Sequence, residues 1–64
     1  MIDSLKLRSA RLAAGLTQEK LAKLSGITKV TISEIENRRR ENVTLNTLSR
    51  LAKQCNVKAA DLLK

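Results

Sequence analysis

The chain has 64 residues, with 13 Lys and Arg against six Asp and Glu, which gives a formal net charge of +7. It contains no histidine, no aromatic residue, no proline and a single cysteine. These counts argue against a deep catalytic cleft, a zinc site, a Ser-His-Asp or Cys-His catalytic arrangement, an aromatic platform for single-stranded bases and an internal disulfide.

The rest of the composition is typical of a small soluble globule. Hydrophobic residues make up 42% of the chain, which is enough for a packed core, and no stretch approaches the ~18 apolar residues of a membrane span. We therefore expect one cytoplasmic domain over residues 1–64, with no metal and no other cofactor. The positive charge either only keeps the protein soluble or marks a binding surface for a polyanion, namely a nucleic acid or an acidic membrane face.

Helical signals dominate, because two glycines and no proline leave few strand or hairpin signals. Helices are predicted over Ser4–Ala14, Gln18–Ser25 and Lys29 to about Asn37, with a fourth after Thr44 and a short fifth within Val57–Leu63. The predicted N-caps are Asp3 or Ser4, Thr17, Thr28 and Thr44, and the predicted stops are Gly15, Gly26 and Asn56.

Apolar residues at helical spacing predict the buried faces of these helices. The predicted faces are Leu5 and Leu12 with the alanines of the first helix, Leu21, Ala22 and Leu24 in the second, Ile32 and Ile35 in the third, and Leu45, Leu48, Leu51, Ala52 and Cys55 in the fourth. Cys55 is expected to be a small buried hydrophobe, with a redox-sensing thiol as the alternative.

The stretch from Thr17 to Asn37 carries the functional signal. It places two short helices around Gly26, a residue that takes a positive φ at little cost. Small Ala22 permits a close helix crossing, and Ile32 anchors the second helix. These features are typical of a helix-turn-helix, whose second helix enters the major groove with its N-terminal residues at the base edges.

Eight segments along the chain extend this pattern: Gly15-Leu-Thr-Gln18, Leu21-Ala22, Gly26-Ile27-Thr28, Ile32-Ser33, Ile35-Glu36-Asn37, Thr44-Leu45, Thr47-Leu48 and Leu51-Ala52. With these segments the chain resembles the Xre family of lambda-repressor-like, or Cro-like, helix-turn-helix DNA-binding domains, from about Leu5 to Leu63. The resemblance implies an all-α fold of five helices with the second and third as the motif. It also implies a sequence-specific regulator of double-stranded DNA, expected to be a repressor that binds a palindromic operator as a dimer.

The resemblance further implies that the third helix reads bases and that its surroundings hold phosphates. The base-readout candidates are Lys29, Val30, Thr31 and Glu34. The phosphate candidates are Gln18, Thr28, Ser33, Asn37, Arg38, Arg39 and Arg40.

Side-chain chemistry supports these roles and leaves alternatives open. Lys29 can donate to guanine, and the methyl groups of Val30 can contact a thymine methyl. Glu34 is unfavourable near phosphates unless it accepts from cytosine or pairs with a cation. The alternative for Lys29 is a solvated helix-end charge, and the alternative for the run Arg38–Arg40 is a solvated loop.

Two positions depart from the family pattern. Arg38 stands where the family usually has Gly, so we expect Asn37 to take the left-handed conformation in its place. Ser25 occupies a position that is usually apolar, which is expected to thin the contact between the second and third helices. The resemblance also implies a partly buried ion pair between Arg11 and Glu36, with two independent surface charges as the alternative.

One recognition helix reads only a few base pairs, so specific binding is expected to require two copies of the chain. The resemblance places the dimer contact near the C-terminal end. The candidates are Val57, Ala59, Ala60, Leu62 and Leu63, some of which must also complete the core. We expect a weak homodimer in solution that forms fully on DNA.

Other functions remain as alternatives. An antitoxin or a restriction-modification controller uses the same domain, and an antitoxin has a toxin as a second partner. A protein-interaction module that has lost DNA binding is disfavoured by Lys29 and by Arg38–Arg40. An enzyme is disfavoured because the six acids are scattered with no base or nucleophile beside them. A membrane-bound peptide is disfavoured because Gly15 and Gly26 interrupt the basic helices.

Overall fold

A computed structural model describes all 64 residues as an all-helical chain. The elements are helices α1 (Ser4–Ala13), α2 (Gln18–Ser25), α3 (Lys29–Glu36) and α4 (Leu45–Gln54), followed by a single 3-10 turn (Ala59–Leu62). None of the helices is both long enough and apolar enough to span a membrane.

Each helix begins where a side-chain oxygen satisfies a backbone N–H that has no partner inside the helix. The hydroxyl oxygens of Thr17, Thr28 and Thr44 each accept from the N–H three residues further on, at 3.0, 3.2 and 3.1 Å. The carboxylate of Asp3 accepts from Leu5 at 2.9 Å and from Lys6 at 3.1 Å. The predicted N-caps are therefore confirmed, with Asp3 rather than Ser4 at α1.

Three helices end in the same hydrogen-bonded loop, the Schellman motif, in which one residue takes a left-handed conformation. These residues are Gly15, Arg38 and Asn56, with φ of 73°, 63° and 59°. After α3, the N–H of Arg38 donates to Ile35 at 3.1 Å and the N–H of Arg39 donates to Glu34 at 2.8 Å. The expectation that Asn37 is left-handed is wrong, because the motif places its positive φ one residue later and Asn37 has a φ of −94°.

The left-handed conformation of Arg38 leads to a stability prediction. A residue with a side chain costs roughly 1–2 kcal/mol in this conformation, and glycine avoids that cost. Part of the advantage is lost because glycine gives the unfolded chain more conformational freedom. We expect Arg38→Gly to raise the free energy of unfolding by about 0.5–1 kcal/mol, measured by urea denaturation. Arg39→Gly, at a neighbouring position without a positive φ, is the control and should give no gain. An Arg38→Gly protein no more stable than the wild type would contradict the prediction.

The core consists of ten buried residues drawn from every helix and from both ends of the chain. They are Ile2, Leu7, Leu21, Ile32, Ile35, Leu48, Leu51, Ala52, Cys55 and Leu62. Cys55 is a buried free thiol, and burial raises its pKa, with the positive charge of Arg11 opposing the shift only in part. Both properties suit a packing role, since a reactive thiol needs an exposed and readily ionised sulfur.

Four leucines predicted in the buried faces lie at the surface. Leu5 and Leu12 are 58% and 61% exposed, Leu24 is 45% exposed and Leu45 is 80% exposed. In α1 the buried residues are Ser4, Leu7 and Arg11. The prediction of Leu5 and Leu12 for this face is therefore wrong, although Ala10 does pack against the core. The inward face instead carries fully buried Leu7 and, one turn later, Arg11, so the two leucines point outward.

The predicted fifth helix is only a four-residue 3-10 turn. Asn56 is left-handed and Lys58 is extended, so a helix cannot start before Ala59. Leu63 is again extended and forms an isolated antiparallel bridge with Ile2, which ends the turn. The five-helix expectation is thus corrected to four α-helices and one 3-10 turn.

The two ends of the chain close the core beside α1. Backbone hydrogen bonds join Ile2 to Glu41 at 2.9 Å, Asp3 to Leu62 at 2.7 Å, and Lys64 to Met1 at 3.1 Å. Helix α1 packs on α3 and on the 3-10 turn, while α2 packs on both α3 and α4. Helix α3 is thereby held between α1 and α2, with its remaining face open to solvent.

Candidate nucleic-acid interface

The corner between α2 and α3 fixes how α3 is presented. Gly26 has a φ of 74°, and a Cβ added there would lie 3.3 Å from the guanidinium of Arg50. Ser25 is buried beside the corner, and its hydroxyl accepts from the N–H of Ile27 at 3.2 Å. The departure at Ser25 therefore exchanges apolar packing for a hydrogen bond that secures the turn.

Arg11 and Glu36 join α1 to α3 through two parallel hydrogen bonds. The Nε atom of Arg11 donates to Glu36 Oε2 at 2.8 Å, and a terminal nitrogen donates to Oε1 at 3.0 Å. A further Arg11 nitrogen donates to the carbonyl of Leu16 at 2.8 Å, which ties the loop after α1 to the same guanidinium. The side chain of Glu36 is fully buried and that of Arg11 is 9% exposed.

Two further side chains, those of Gln18 and Arg8, complete this network, and the sequence predicts neither of them in it. The amide of Gln18 donates to Glu36 Oε1 at 3.2 Å, and Arg8 lies 3.4 Å from the same oxygen. Burial raises the pKa of Glu36, but hydrogen bonds from Arg11 and Gln18 and the charges of Arg11 and Arg8 outweigh it, so its pKa lies below the usual value. The spacing of Arg8 and Arg11, three residues apart on one helix, was the available signal for a shared partner.

The open face of α3 forms a shallow groove that gathers three of the four predicted base-readout residues and two of the seven predicted phosphate contacts. Its lining is Lys29, Val30, Ser33, Glu34 and Arg39. Val30 is 67% exposed, which leaves its methyl groups available to a partner. Lys29 forms an exposed ion pair with Glu19 of α2 at 3.2 Å.

The other predicted contacts on α3 have local hydrogen-bond partners. The hydroxyl of Thr28 donates to the hydroxyl of Thr31 at 3.0 Å, so both side chains belong to the helix cap. The amide of Asn37 donates to the hydroxyl of Ser33 at 3.2 Å. Thr31 does not line the groove, and its role in base readout stays a prediction.

The three arginines after α3 differ in their surroundings. Two nitrogens of Arg40 donate to Glu34 Oε1, at 3.1 and 2.9 Å. Arg38 and Arg39 are exposed and their side chains make no ion pair. Two of the three positive charges are therefore unpaired; Arg39 lines the groove, whereas Arg38 borders a separate cleft beside Ile2 and Asp3.

The start of α2 adjoins this surface. A shallow cleft lined by Arg11, Thr17, Gln18, Glu19 and Lys29 connects it to the start of α3. The first N–H groups of any helix lack intrahelical acceptors and attract anions. The Gln18 side chain is engaged with Glu36, so its predicted phosphate contact depends on the remaining amide N–H or on its backbone.

The predicted dimer residues do not all lie at the surface. Leu62 is fully buried in the core, so its assignment to the interface is corrected. Val57, Ala59 and Leu63 are half-buried against the core, and Ala60 is exposed.

Comparison with known proteins identifies the fold and the family. A helix-turn-helix family model matches residues 7–62. The control protein C.SmaI of Serratia marcescens is 44% identical over 57 residues, which cover 89% of this chain and 67% of that protein.

Solved structures agree with this match. The restriction-modification controller protein C.AhdI of Aeromonas hydrophila is 35% identical with a TM-score of 0.85, over 94% of this chain and 89% of that chain. The clp gene regulator ClgR of Corynebacterium glutamicum is 30% identical with a TM-score of 0.82, over 92% of this chain and 62% of that chain. The chain therefore belongs to the Xre-like helix-turn-helix family of DNA-binding transcription regulators.

Proposed function

We propose that this protein is a restriction-modification controller that regulates its own operon by binding a palindromic operator as a homodimer. We assign the DNA-binding face from one observation, the open groove on α3. It is lined by Lys29, Val30, Ser33, Glu34 and Arg39. Arg39 gives this groove an unpaired positive charge, and unpaired Arg38 precedes it in the same loop, as expected for a surface that releases counterions from phosphates. We also propose that residues 1–64 form one domain and that the protein is cytoplasmic.

The surroundings of the six acids support binding rather than catalysis. Glu19, Glu34, Glu36 and Glu41 each pair with a cation. The two aspartates each accept from backbone N–H groups, at the start of α1 and of the 3-10 turn. Every carboxylate thus has a structural partner, which disfavours the enzyme alternative.

The choice of controller over antitoxin comes from the relatives. C.SmaI is named as a control protein and C.AhdI as a restriction-modification controller, and the match to C.AhdI spans most of both chains. An antitoxin that also binds a toxin is the second candidate. A restriction gene beside this gene would favour the controller, and a toxin gene would favour the antitoxin.

The proposed dimer contact lies around the 3-10 turn. Exposed Ala60 shares a shallow groove with exposed Leu5 of α1, whose other lining residues are the polar Lys6, Ser9 and Asp61. Val57, Ala59 and Leu63 border the core and can contribute only their exposed edges. This limited surface is consistent with a weak dimer that DNA completes.

The test is selection from a random double-stranded DNA library at near-physiological salt, with sequencing of the bound pool. We expect an inverted repeat whose half-sites lie about 34 Å apart, or a multiple of that distance. The same repeat should occur upstream of the gene. Retention that disappears as salt rises, without enrichment of any sequence, would contradict the proposal.

The unpaired arginines give a prediction about salt dependence. Neutralising Arg39 by Arg39→Gln should reduce the slope of log K against log salt by about one unit, because one phosphate contact is lost. Fluorescence anisotropy with a short duplex at several salt concentrations measures this slope. Lys53→Gln on α4, outside the groove, is the control and should leave the slope unchanged. An unchanged slope for Arg39→Gln would show that Arg39 does not contact a phosphate.

A further inference from the structure

Glu34, which lines the groove on α3, forms an ion pair in which Arg40 of the following loop provides two donors. Glu34 lines the groove, and its Oε1 accepts from Arg40 Nε at 3.1 Å and from a terminal nitrogen at 2.9 Å. Both side chains keep contact with solvent, at 36% and 48% exposure. The guanidinium of Arg40, although it belongs to the loop, is thereby held at a carboxylate that lines the groove, while its side chain also borders a separate cleft beside Ile2 and Asp3.

The geometry of the pair determines what Arg40 can still bind. A guanidinium has five N–H donors in a rigid plane. Glu34 takes the donors on the edge that contains Nε, so the edge formed by the two terminal nitrogens remains free. A free edge of this kind donates two parallel hydrogen bonds, which matches O6 and N7 of guanine in the major groove.

The pair also determines how Arg40 responds to DNA of any sequence. Phosphates attract an unpaired arginine wherever it meets them, which raises non-specific binding. Arg40 can grip a phosphate with its full charge only if it leaves Glu34, and the bare carboxylate then lies beside the DNA. The carboxylate therefore weakens non-specific binding while it leaves the free edge of Arg40 oriented.

We infer that Glu34 is a positioning residue that holds Arg40 for guanine readout at the end of the recognition helix and lowers affinity for non-specific DNA. This role replaces the direct readout of cytosine by Glu34 that its position on α3 predicts. It rests on the DNA-binding face proposed above. It assigns base recognition to a loop arginine that the sequence places only among phosphate contacts.

The experiment compares Glu34→Gln, Arg40→Gln and the double variant on the selected operator and on duplex DNA of unrelated sequence. Glu34→Gln keeps the shape of the side chain and removes its charge. We expect its ratio of specific to non-specific affinity to fall about tenfold, within the range of one lost base contact. The salt slope on unrelated DNA should rise by about one unit, because Arg40 becomes free for phosphate.

The Arg40→Gln background separates this role from the alternatives. There Glu34→Gln should have no further effect on sequence preference. An undiminished effect in that background would show that Glu34 contacts a base itself and would overturn the inference. Equal loss on all sequences for Arg40→Gln would also overturn it, because Arg40 would then bind only phosphate.

A matched control excludes a general charge effect. Glu41→Gln makes the same change in net charge, but Glu41 pairs with Lys64 at 3.0 Å, at the end of the chain. It should leave the specificity ratio near that of the wild type, and an effect equal to that of Glu34→Gln would overturn the inference. The slope on unrelated DNA tests the role of Glu34 even if no operator is enriched, so failure of the proposed function is distinguishable from failure of this inference.

Discussion

Replacing Arg11 with methionine is expected to remove most of the stability of the folded domain. The substitution leaves the carboxylate of Glu36 fully buried without its bidentate partner and leaves the carbonyl of Leu16 without its donor. Breaking a buried ion pair from one side typically costs about 3–5 kcal/mol. A chain of this size has roughly 3–10 kcal/mol of stability in total, so the variant should be largely unfolded or close to it at room temperature. Circular dichroism during urea denaturation measures the change.

Two further variants distinguish a stranded charge from a simple loss of contacts. Arg8→Met removes a half-exposed arginine 3.4 Å from the same carboxylate and should cost less than about 1 kcal/mol. The double variant Arg11→Met with Glu36→Met removes both buried charges and should be more stable than Arg11→Met alone. A single variant within about 1 kcal/mol of the wild type would show that the pair contributes little beyond a surface salt bridge.

The pH dependence of the single variant should have the opposite sign to that of the wild type. In the folded wild type the pKa of Glu36 lies below its usual value, so its contribution to stability is present above the unfolded pKa of about 4.3 and is lost as the pH falls. Without Arg11, only the hydrogen bond from Gln18 and the charge of Arg8 oppose burial, which has the largest single effect on this carboxylate, so we expect the folded pKa of Glu36 to rise above its usual value. The variant should therefore gain stability as the pH falls towards the unfolded pKa, and its helical signal in circular dichroism at room temperature should increase between pH 7 and pH 5.

Local interactions were the part of the fold that the sequence predicted well. The caps at Thr17, Thr28 and Thr44 each depend on a hydroxyl and an N–H that are three residues apart. One helical turn of sequence is therefore enough to predict them. Gly15 and Asn56 tolerate a positive φ, and both were predicted as helix stops.

Arg38 shows why local preference fails at the end of α3. Nothing in an arginine side chain favours a left-handed conformation, and Asn37 tolerates it better. Yet the hydrogen bonds from Arg38 to Ile35 and from Arg39 to Glu34 complete the Schellman motif only if Arg38 takes that conformation. The requirements of the helix end therefore outweigh the preference of the residue.

The buried face of α1 depended on a partner 25 residues away. Leu5 and Leu12 have both the apolar character and the seven-residue spacing of a core face, whereas Arg11 has the spacing, seven residues after buried Ser4, but not the apolar character. Burial of Arg11 is possible because Glu36 neutralises it on α3, and that partner is not a local neighbour in the sequence. With Leu7 and Arg11 both facing inward, Leu5 and Leu12 lie on the opposite side of α1 and point to solvent.

The candidate site was predicted as a set of residues but not as a set of pairs. Lys29, Val30, Ser33, Glu34 and Arg39 all line the groove, as positions on one exposed helix face and the loop beside it allow. The exposed pair of Glu19 with Lys29 crosses between helices, and that of Glu34 with Arg40 crosses from helix to loop. Such pairs depend on the angle between elements and on the loop path, which periodicity does not determine.

Lys29→Ala should produce the largest loss of specific DNA binding among substitutions in the groove. Lys29 stands at the first position of α3, where recognition helices contact base edges, and its ε-amino group can donate to guanine. The pair with Glu19 is exposed and worth at most about 1 kcal/mol, so a base edge can displace Glu19. We expect a loss of about 1–3 kcal/mol on the preferred operator and relaxed preference at one base pair.

The pattern of the loss, more than its size, decides the role of Lys29. Affinities measured on the operator and on each of its single-base variants give that pattern, with Lys53→Ala as a charge-matched control outside the groove. Equal weakening on every sequence would assign Lys29 to a phosphate, because phosphate contacts carry no sequence information. Unchanged affinity on every sequence would leave Lys29 as a solvated charge held by Glu19, and recognition would then rest on Val30 and on Arg40 as positioned by Glu34.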